Sequence, residues 1–358
     1  MEFWLHGFPV AGSTRDWAAR AEQDGFTGIL LADSETLVAD PYVELALASE
    51  ATEHVKLGVA VTNPITRHPA VTASAIATVH AESGGRAVLG FGRGDSALRQ
   101  LGLKPASLVG FKHAVIDVRR YLGAPAAGTG ETTSTARPLS WLTDEFGRVP
   151  VDVAATGPEV IAIGAVYADR LTFNLGADVE RLRWAIATAR QARLDADLDP
   201  DAMTFGAYLN MACAPLDDAI AMVRGSASIF AQFLTEGMRA GVPVSDDDKT
   251  VLEAVASAYN EAQHGLRSAP QAELLPDDFL RRFTLCGPVD TLLPRVAELE
   301  TLGLDRIVVV PASRDVSSTA VDASISEFAA GIIPVAGAAA SRSRHGLARQ
   351  PRPAHRVG

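Results

Sequence analysis

Lys56-Leu57-Gly58-Val59-Ala60-Val61, then Thr62-Asn63-Pro64-Ile65-Thr66-Arg67-His68-Pro69, then Ala70 through Ala81, then Ala87-Val88-Leu89-Gly90-Phe91 follow one another in the chain. The first and last are short apolar runs without polar alternation, which is how strands covered on both faces read. Between them lie a proline-bounded polar loop and a stretch long enough for a helix. Strand, helix and strand in that order make a parallel crossover unit.

Working outward, the same rhythm continues in both directions. Strands are predicted at Phe3–Phe8, Gly28–Ala32, Lys56–Val61, Ala87–Phe91, Val151–Ala155, Leu171–Asn174, Thr204–Asn210 and Arg306–Val310. Helices are predicted at Ser13–Asp24, Pro41–Thr52, Ala70–Ala81, Gly110–Leu122, Pro158–Tyr167, Val179–Ala192, Leu216–Ala240 and Val289–Leu302. Asp40-Pro41 and Gly157-Pro158 place proline in a first helical turn, where its missing N–H costs nothing. Eight strands alternating with helices favour an α/β chain closed as a (β/α)8 TIM barrel over an open doubly wound sheet. One barrel domain over 1–333 is expected, followed by a basic tail, 334–358.

Residues 124–149 and 241–277 exceed an ordinary connection and are expected as lids or oligomer contacts. The second contains Lys249–Gln263, which reads as a helix. Hydrophobic residues make up 47% and charged residues 21% of the 358, a balance that builds a large core and excludes a disordered chain. No apolar run reaches the roughly 18 residues that a membrane span needs.

Met1-Glu2-Phe3-Trp4-Leu5-His6 carries an early acid and no basic region ahead of an apolar one. It does not read as a signal peptide, and a cytoplasmic location is expected. Cys213 and Cys286 belong to no Cys/His cluster and are expected as buried thiols, with no metal site. Net charge is −11 although 334–358 hold five arginines and no acid. The acidic body argues against a nucleic-acid partner, and the small, polar tail is expected to be disordered or to serve as an interaction tail.

In a βα barrel the chemistry sits at strand C-termini and the loops after them. Here those are His6-Gly7-Phe8, Asp33-Ser34-Glu35, Thr62-Asn63-Pro64, Gly92-Arg93-Gly94-Asp95 and Thr156-Gly157-Pro158. Gly90-x-Gly92-x-Gly94-Asp95 lacks the G-x-G-x-x-G spacing of a dinucleotide loop. Its glycines either let the backbone approach a flat ring, with Arg93 and Asp95 at the ring's edge, or form a tight turn. Thr156-Gly157-Pro158 offers backbone N–H groups at a helix start, where an anion such as phosphate is favoured, or is an ordinary cap by Thr156. Asn63, Thr66, Arg67 and His68 face either the barrel mouth or solvent, and His6 is either functional or a hydrogen-bonded interior histidine. The sequence carries no hydrolase triad signature, zinc motif or P-loop.

Gly58 through Thr78 followed by Ser83 through Asp95, with Ala19-x5-Gly25-Phe26 leading into Leu30-Leu31-Ala32-Asp33 and with Val153 through Pro158, resembles the luciferase-like superfamily. Within it, the chain is similar to the methylenetetrahydromethanopterin reductase branch. The likeness covers most of 1–176. It implies a TIM-like barrel, often a homodimer, that binds the deazaflavin coenzyme F420 or FMN.

Carried over residue by residue, the resemblance implies Asp33 beside the ring and Val59-Ala60-Val61-Thr62 as a bulge supporting its face. It further implies Gly92, Gly94 and Asp95 near the ring, and Thr156 and Gly157 in a phosphate-binding turn. Asn63, Arg93 and Pro158 join this expected cofactor set from their places beside those motifs. A non-prolyl cis peptide is implied within Gly58–Val61. Related sugar-phosphate dehydrogenases place a histidine after the strand-two aspartate, whereas this chain has Ser34 and then Glu35. Oxidation of an alcohol by such a base is therefore not expected, and Glu35, His6 and His68 remain as candidate proton-transfer residues.

The expected reaction is hydride transfer between F420 and a small organic substrate such as an imine, an enone or another conjugated double bond. The alternatives are an FMN-dependent monooxygenase that uses reduced flavin and O₂, and a non-catalytic flavin-binding barrel.

Overall fold

The computed structural model describes residues 1–125, 134–143 and 145–336. Nine strands form among them: β1 (Glu2–Gly7), β2 (Gly28–Leu31), β3 (Lys56–Thr62), β4 (Ala87–Phe91), β5 (Val151–Ala155), β6 (Arg170–Phe173), β7 (Thr204–Cys213), β8 (Leu285–Gly287) and β9 (Arg306–Pro311). Eight of them, all parallel, close a barrel in the order β1-β2-β3-β4-β5-β6-β7-β9, with β9 returning to β1. The (β/α)8 TIM barrel is the architecture the strand rhythm predicts. β8 was not foreseen. It is three residues long and pairs with an extension of β7, Met211–Cys213, beyond the rim.

The helices are α1 (Thr14–Gln23), α2 (Pro41–Ala51), α3 (Pro69–Glu82), α4 (Ser96–Gln100), α5 (Leu108–Tyr121), α6 (Pro158–Tyr167), α7 (Val179–Asp195), α8 (Leu216–Arg239), α9 (Asp246–Ser257), α10 (Pro270–Glu273), α11 (Asp277–Phe283), α12 (Val289–Leu302) and α13 (Ser318–Gly331). The outer layer runs α1, α2, α3, α5, α6, α7, α12, α13, each packed on the next. An Arg20–Asp322 ion pair at 3.2 Å links α13 back to α1.

This ring corrects one element of the sequence reading. Leu216–Ala240 looks like the seventh outer helix, but that place belongs to α12, which leads into β9. α8 instead reaches back toward the mouth: a Cβ on its Gly237 would stand 2.7 Å from Thr156, just past β5. α8 through α11 form a cap on that side. α13, absent from the predicted helices, lays Phe328 edge-on against Phe3 at 5.6 Å. The segment Ser318–Ala336 has the length and composition of a membrane span, yet its Ile325, Phe328, Ala329 and Ile332 are buried in the core.

The described parts of the two long segments sit at opposite ends. In the first, residues 145–149 lead into β5 at the strand-start face, away from the mouth. Phe146 packs on Gly85, just before β4, and Arg148 bonds Asp169, just before β6. A lid over the site is therefore excluded for the described part of this segment. Residues 241–277 are on the mouth side, and Gly225 of α8 lets the Gly265–Arg267 backbone approach to 2.5 Å of where a Cβ would be. The tail 337–358 lies outside the described residues, and Ala336 before it is buried.

Strand alternation sorts the barrel interior into layers. Near the strand starts Arg306 is 1% exposed. Its Nη2 donates to Asp152 at 2.9 Å and to the Thr172 hydroxyl at 2.7 Å. Gly206 makes room for it, since a Cβ there would stand 2.6 Å from the Arg306 side chain. This ion pair fills the strand-start end of the barrel interior.

Candidate functional site

The pairing of β3 with β4 runs in step through Val59↔Leu89 and then slips, resuming at Thr62↔Phe91. The slip contains a cis Ala60–Val61 peptide, within the Gly58–Val61 window that the resemblance implied. β4 accommodates the bulge with glycine. A Cβ on Gly90 would stand 2.0 Å from the Val59 carbonyl oxygen, and one on Gly92 2.8 Å from Val61. Gly94, at φ +84°, meets Leu98 and Asn63 in the same way. The glycines thus serve first to bring two strands together at the bulge.

Asn63 holds the loop that follows. Its Oδ1 accepts from the backbone N–H groups of Ile65 at 2.9 Å and Thr66 at 3.0 Å. His68 ends that loop as the N-cap of α3, its Nδ1 accepting from Ala70, and is exposed. Glu35 is also exposed. Neither of these two predicted proton-transfer residues joins the buried mouth.

Asp33 does. It is 5% exposed, and its Oδ2 has no hydrogen-bond partner. Burial raises its pKa above the ordinary carboxylate value, against the pull of Thr62 and Arg67. The Arg67 Nε stands 3.8 Å from Asp33 Oδ2, its Nη2 2.6 Å from Asp40, and its guanidinium 4.9 Å from the centre of the Tyr42 ring. Asp40 caps α2 by accepting from Tyr42 and Val43, so one aspartate fixes both the helix and the arginine. Tyr42 was missed in the sequence. Its hydroxyl and that of Thr62 are buried beside Asp33, where burial raises the pKa of Asp33 and Tyr42 and Thr62 draws both down.

His6 ends β1 inside the barrel, 9% exposed, with Nδ1 unpartnered. Burial lowers its pKa to about 4, against the Ala60 carbonyl, which draws it the other way. The imidazole is neutral at physiological pH. Asn174 Oδ1 and both amide atoms of Asn210 are likewise buried and unpartnered. These two were also missed, although each is the polar end of a predicted apolar strand.

On the opposite rim Arg93 Nε donates to the Ala106 carbonyl at 2.7 Å. Asp95 begins α4. Burial lifts its carboxyl to about 7, Arg99 opposing and Glu236 and Glu261 adding to the rise. Arg99 Nη2 stands 2.7 Å from Asp95, Nη1 3.3 Å from Glu236 and Nε 3.0 Å from Glu261. One guanidinium thereby ties α4, α8 and the 241–277 segment together. Gly157, not Thr156, is the N-cap of α6, with no side-chain cap and Pro158 next. The first-turn N–H groups are thus not satisfied by a Thr156 side-chain cap.

A sequence-family model for luciferase-like monooxygenases matches residues 5–306. The chain belongs to the luciferase-like monooxygenase family. As a member of that family it is an oxidoreductase. A 5,10-methylenetetrahydromethanopterin reductase from Methanolobus tindarius is 27% identical over 301 residues, 82% of this chain and 88% of the relative. The solved coenzyme F420 dependent tetrahydromethanopterin reductase from Methanopyrus kandleri superposes with a TM-score of 0.73 at 23% identity, over 93% of this chain and 98% of that one. The oxygenating constituent of 3,6-diketocamphane monooxygenase from the CAM plasmid of Pseudomonas putida, in complex with FMN, superposes at 0.62 and 18% identity, over 93% and 98%. This luciferase-like chain therefore shares its barrel with both deazaflavin- and flavin-using enzymes.

Proposed function

We propose that this luciferase-like oxidoreductase binds coenzyme F420 at the barrel mouth and transfers hydride between the deazaflavin ring and a small organic substrate bearing an imine, enone or other conjugated double bond. The observation that carries the reading is the set of buried, unpartnered polar atoms on His6, Asp33, Asn174 and Asn210. Buried polar groups are ordinarily hydrogen-bonded, so such a set fits a polar ligand. The similarity to the reductases favours F420 over FMN.

The residues present suit that cofactor. Val59-Ala60-Val61-Thr62 would support the ring face, Asp33 would stand at the ring, and the uncapped α6 start at Thr156-Gly157-Pro158 would take the phosphate. Gly92, Arg93, Gly94 and Asp95 would close the far edge. When bound, the deazaflavin supplies the two-electron hydride chemistry. The protein's part is to orient, to exclude water and to hold a proton at Asp33 Oδ2 or the Tyr42 hydroxyl, both dry and within one cluster. A homodimer is part of the same reading.

Incubating the protein anaerobically with reduced F420 and a panel of enones and imines tests it. Return of the oxidised deazaflavin absorbance, dependent on acceptor, is expected. No oxidation of reduced F420 there, together with acceptor-dependent O₂ consumption in a parallel aerobic assay with reduced FMN, would overturn it in favour of a monooxygenase.

A further inference from the structure

His6 and Asn210 occupy one rung of the barrel interior, and the proposed proton handling uses neither. Their facing follows from alternation. Trp4 Nε1 donates to Glu2 at 2.9 Å and its ring lies 4.8 Å from the Arg170 guanidinium, so Glu2, Trp4 and His6 share the inner face of β1. On β7, Gly206 fronts the interior Arg306 side chain, so Tyr208 and Asn210 face inward above it.

Register sets their separation. Val309 of β9 pairs with both Leu5 and Leu209, and Val310 pairs with Asn210. One residue beyond Leu5, His6 stands level with Val310. Two strand spacings, about 9–10 Å, separate the β1 and β7 backbones there. The short apolar side chain of Val310 lies between two hydrogen-bonding arms.

Their chemistry is that of neutral donor–acceptor pairs. Asn210 is 1% exposed, and neither Oδ1 nor Nδ2 has a partner. A carboxamide with both atoms free matches a ligand edge that offers a carbonyl beside an N–H. Burial keeps the His6 ring uncharged, so the pair presents no charge to neutralise an ion.

We propose that His6 and Asn210 form a reading site on the barrel floor for an uncharged cyclic amide, a ring edge with a carbonyl next to an N–H, laid across Val310. The proposal rests on the reading of this mouth as a ligand-binding site. Such an edge exists on the pyrimidine end of a flavin-type ring and on heterocyclic substrates, and the chemistry that recognises it is the same.

Fluorescence titration with lumazine, a bicyclic ring bearing such edges, and with its N,N′-dimethyl derivative, which lacks the N–H donors, tests this. The wild-type protein is expected to prefer lumazine by about tenfold. Asn210→Leu should abolish the preference while keeping the melting temperature of a folded protein. Should that variant fail to fold, Asn210→Ala, which also removes the acceptor for the lumazine N–H, is expected to lose the preference too. Equal wild-type affinities for the two probes, or a preference that survives in the folded variant, would overturn the proposal.

Repeating the titration with saturating F420 separates the sources. Competition, with F420 affinity falling in Asn210→Leu, assigns the edge to the cofactor, and lumazine binding beside F420 assigns it to the substrate. Retained lumazine preference in a protein that binds no F420 would sink the F420 reading and leave this site standing.

Discussion

Gly90 lies so close to Val59 that a Cβ would stand 2.0 Å from the Val59 carbonyl oxygen. The fourth strand carries glycine here because the bulge of the third leaves no room for a side chain. The neighbour is backbone, which cannot swing away. Gly90→Ala is therefore expected to cost at least the 1–3 kcal/mol, roughly, of an overpacked core. It should also weaken cofactor binding by moving the ring support. Urea unfolding and cofactor titration on the same preparation check both effects.

Arg67 serves Asp33, Asp40 and Tyr42 together, and this depends on a planar guanidinium. Arg67→Lys is expected to lose the stacking on Tyr42 and one of the two carboxylates, at about 1–3 kcal/mol. With less positive charge near it, Asp33 should hold its proton to higher pH. A pH–rate profile of the variant should show the limb assigned to Asp33 displaced upward relative to the wild type.

Asp95 yields a stability prediction with a definite sign. Its folded-state pKa, about 7, is above the ordinary value of 3.8. The folded protein therefore holds a proton that the unfolded chain gives up, and the associated stability is present at low pH and is lost as pH rises through about 7. Asp95→Asn cannot ionise. Relative to wild type, its melting temperature should rise between pH 5 and pH 8, and a gap that stays constant or falls over that range would refute the assignment.

The Arg306–Asp152 pair at the strand-start end is expected to act on stability alone. Arg306→Met leaves buried Asp152 beside Thr172 with only the more distant Arg170, whose Nε stands 3.8 Å away, a change expected to cost about 3 kcal/mol. Cofactor affinity of the folded variant should match the wild type, because the mouth lies at the other end of the strands. Denaturant unfolding and a cofactor titration separate the two.

The barrel was legible because its strands are apolar runs buried on both faces, as in Ile29, Leu30 and Leu31 or Val151 and Val153. The roles of α8 and α12 were not, since both have good helical patterns and only tertiary contacts assign one to the cap and the other to the ring. In the site, the cis peptide fell where the family likeness placed it. His68 and Glu35 were read as candidates from residue type and from their loops after a strand, and exposure on a loop is visible in neither. Tyr42 was overlooked because it looks like an ordinary first-turn residue after Asp40-Pro41. Asn174 and Asn210 carried a usable signal, a lone amide closing an apolar strand, which points inward at the mouth once the period of two is applied.

The central claim is a deazaflavin seated on the Val59–Thr62 bulge. The most direct measurement is a pair of binding isotherms, F420 and FMN, on the same purified protein. Saturable F420 binding, tighter than FMN and weakened in Gly90→Ala, is the predicted result. Tight FMN binding with no F420 binding would contradict it.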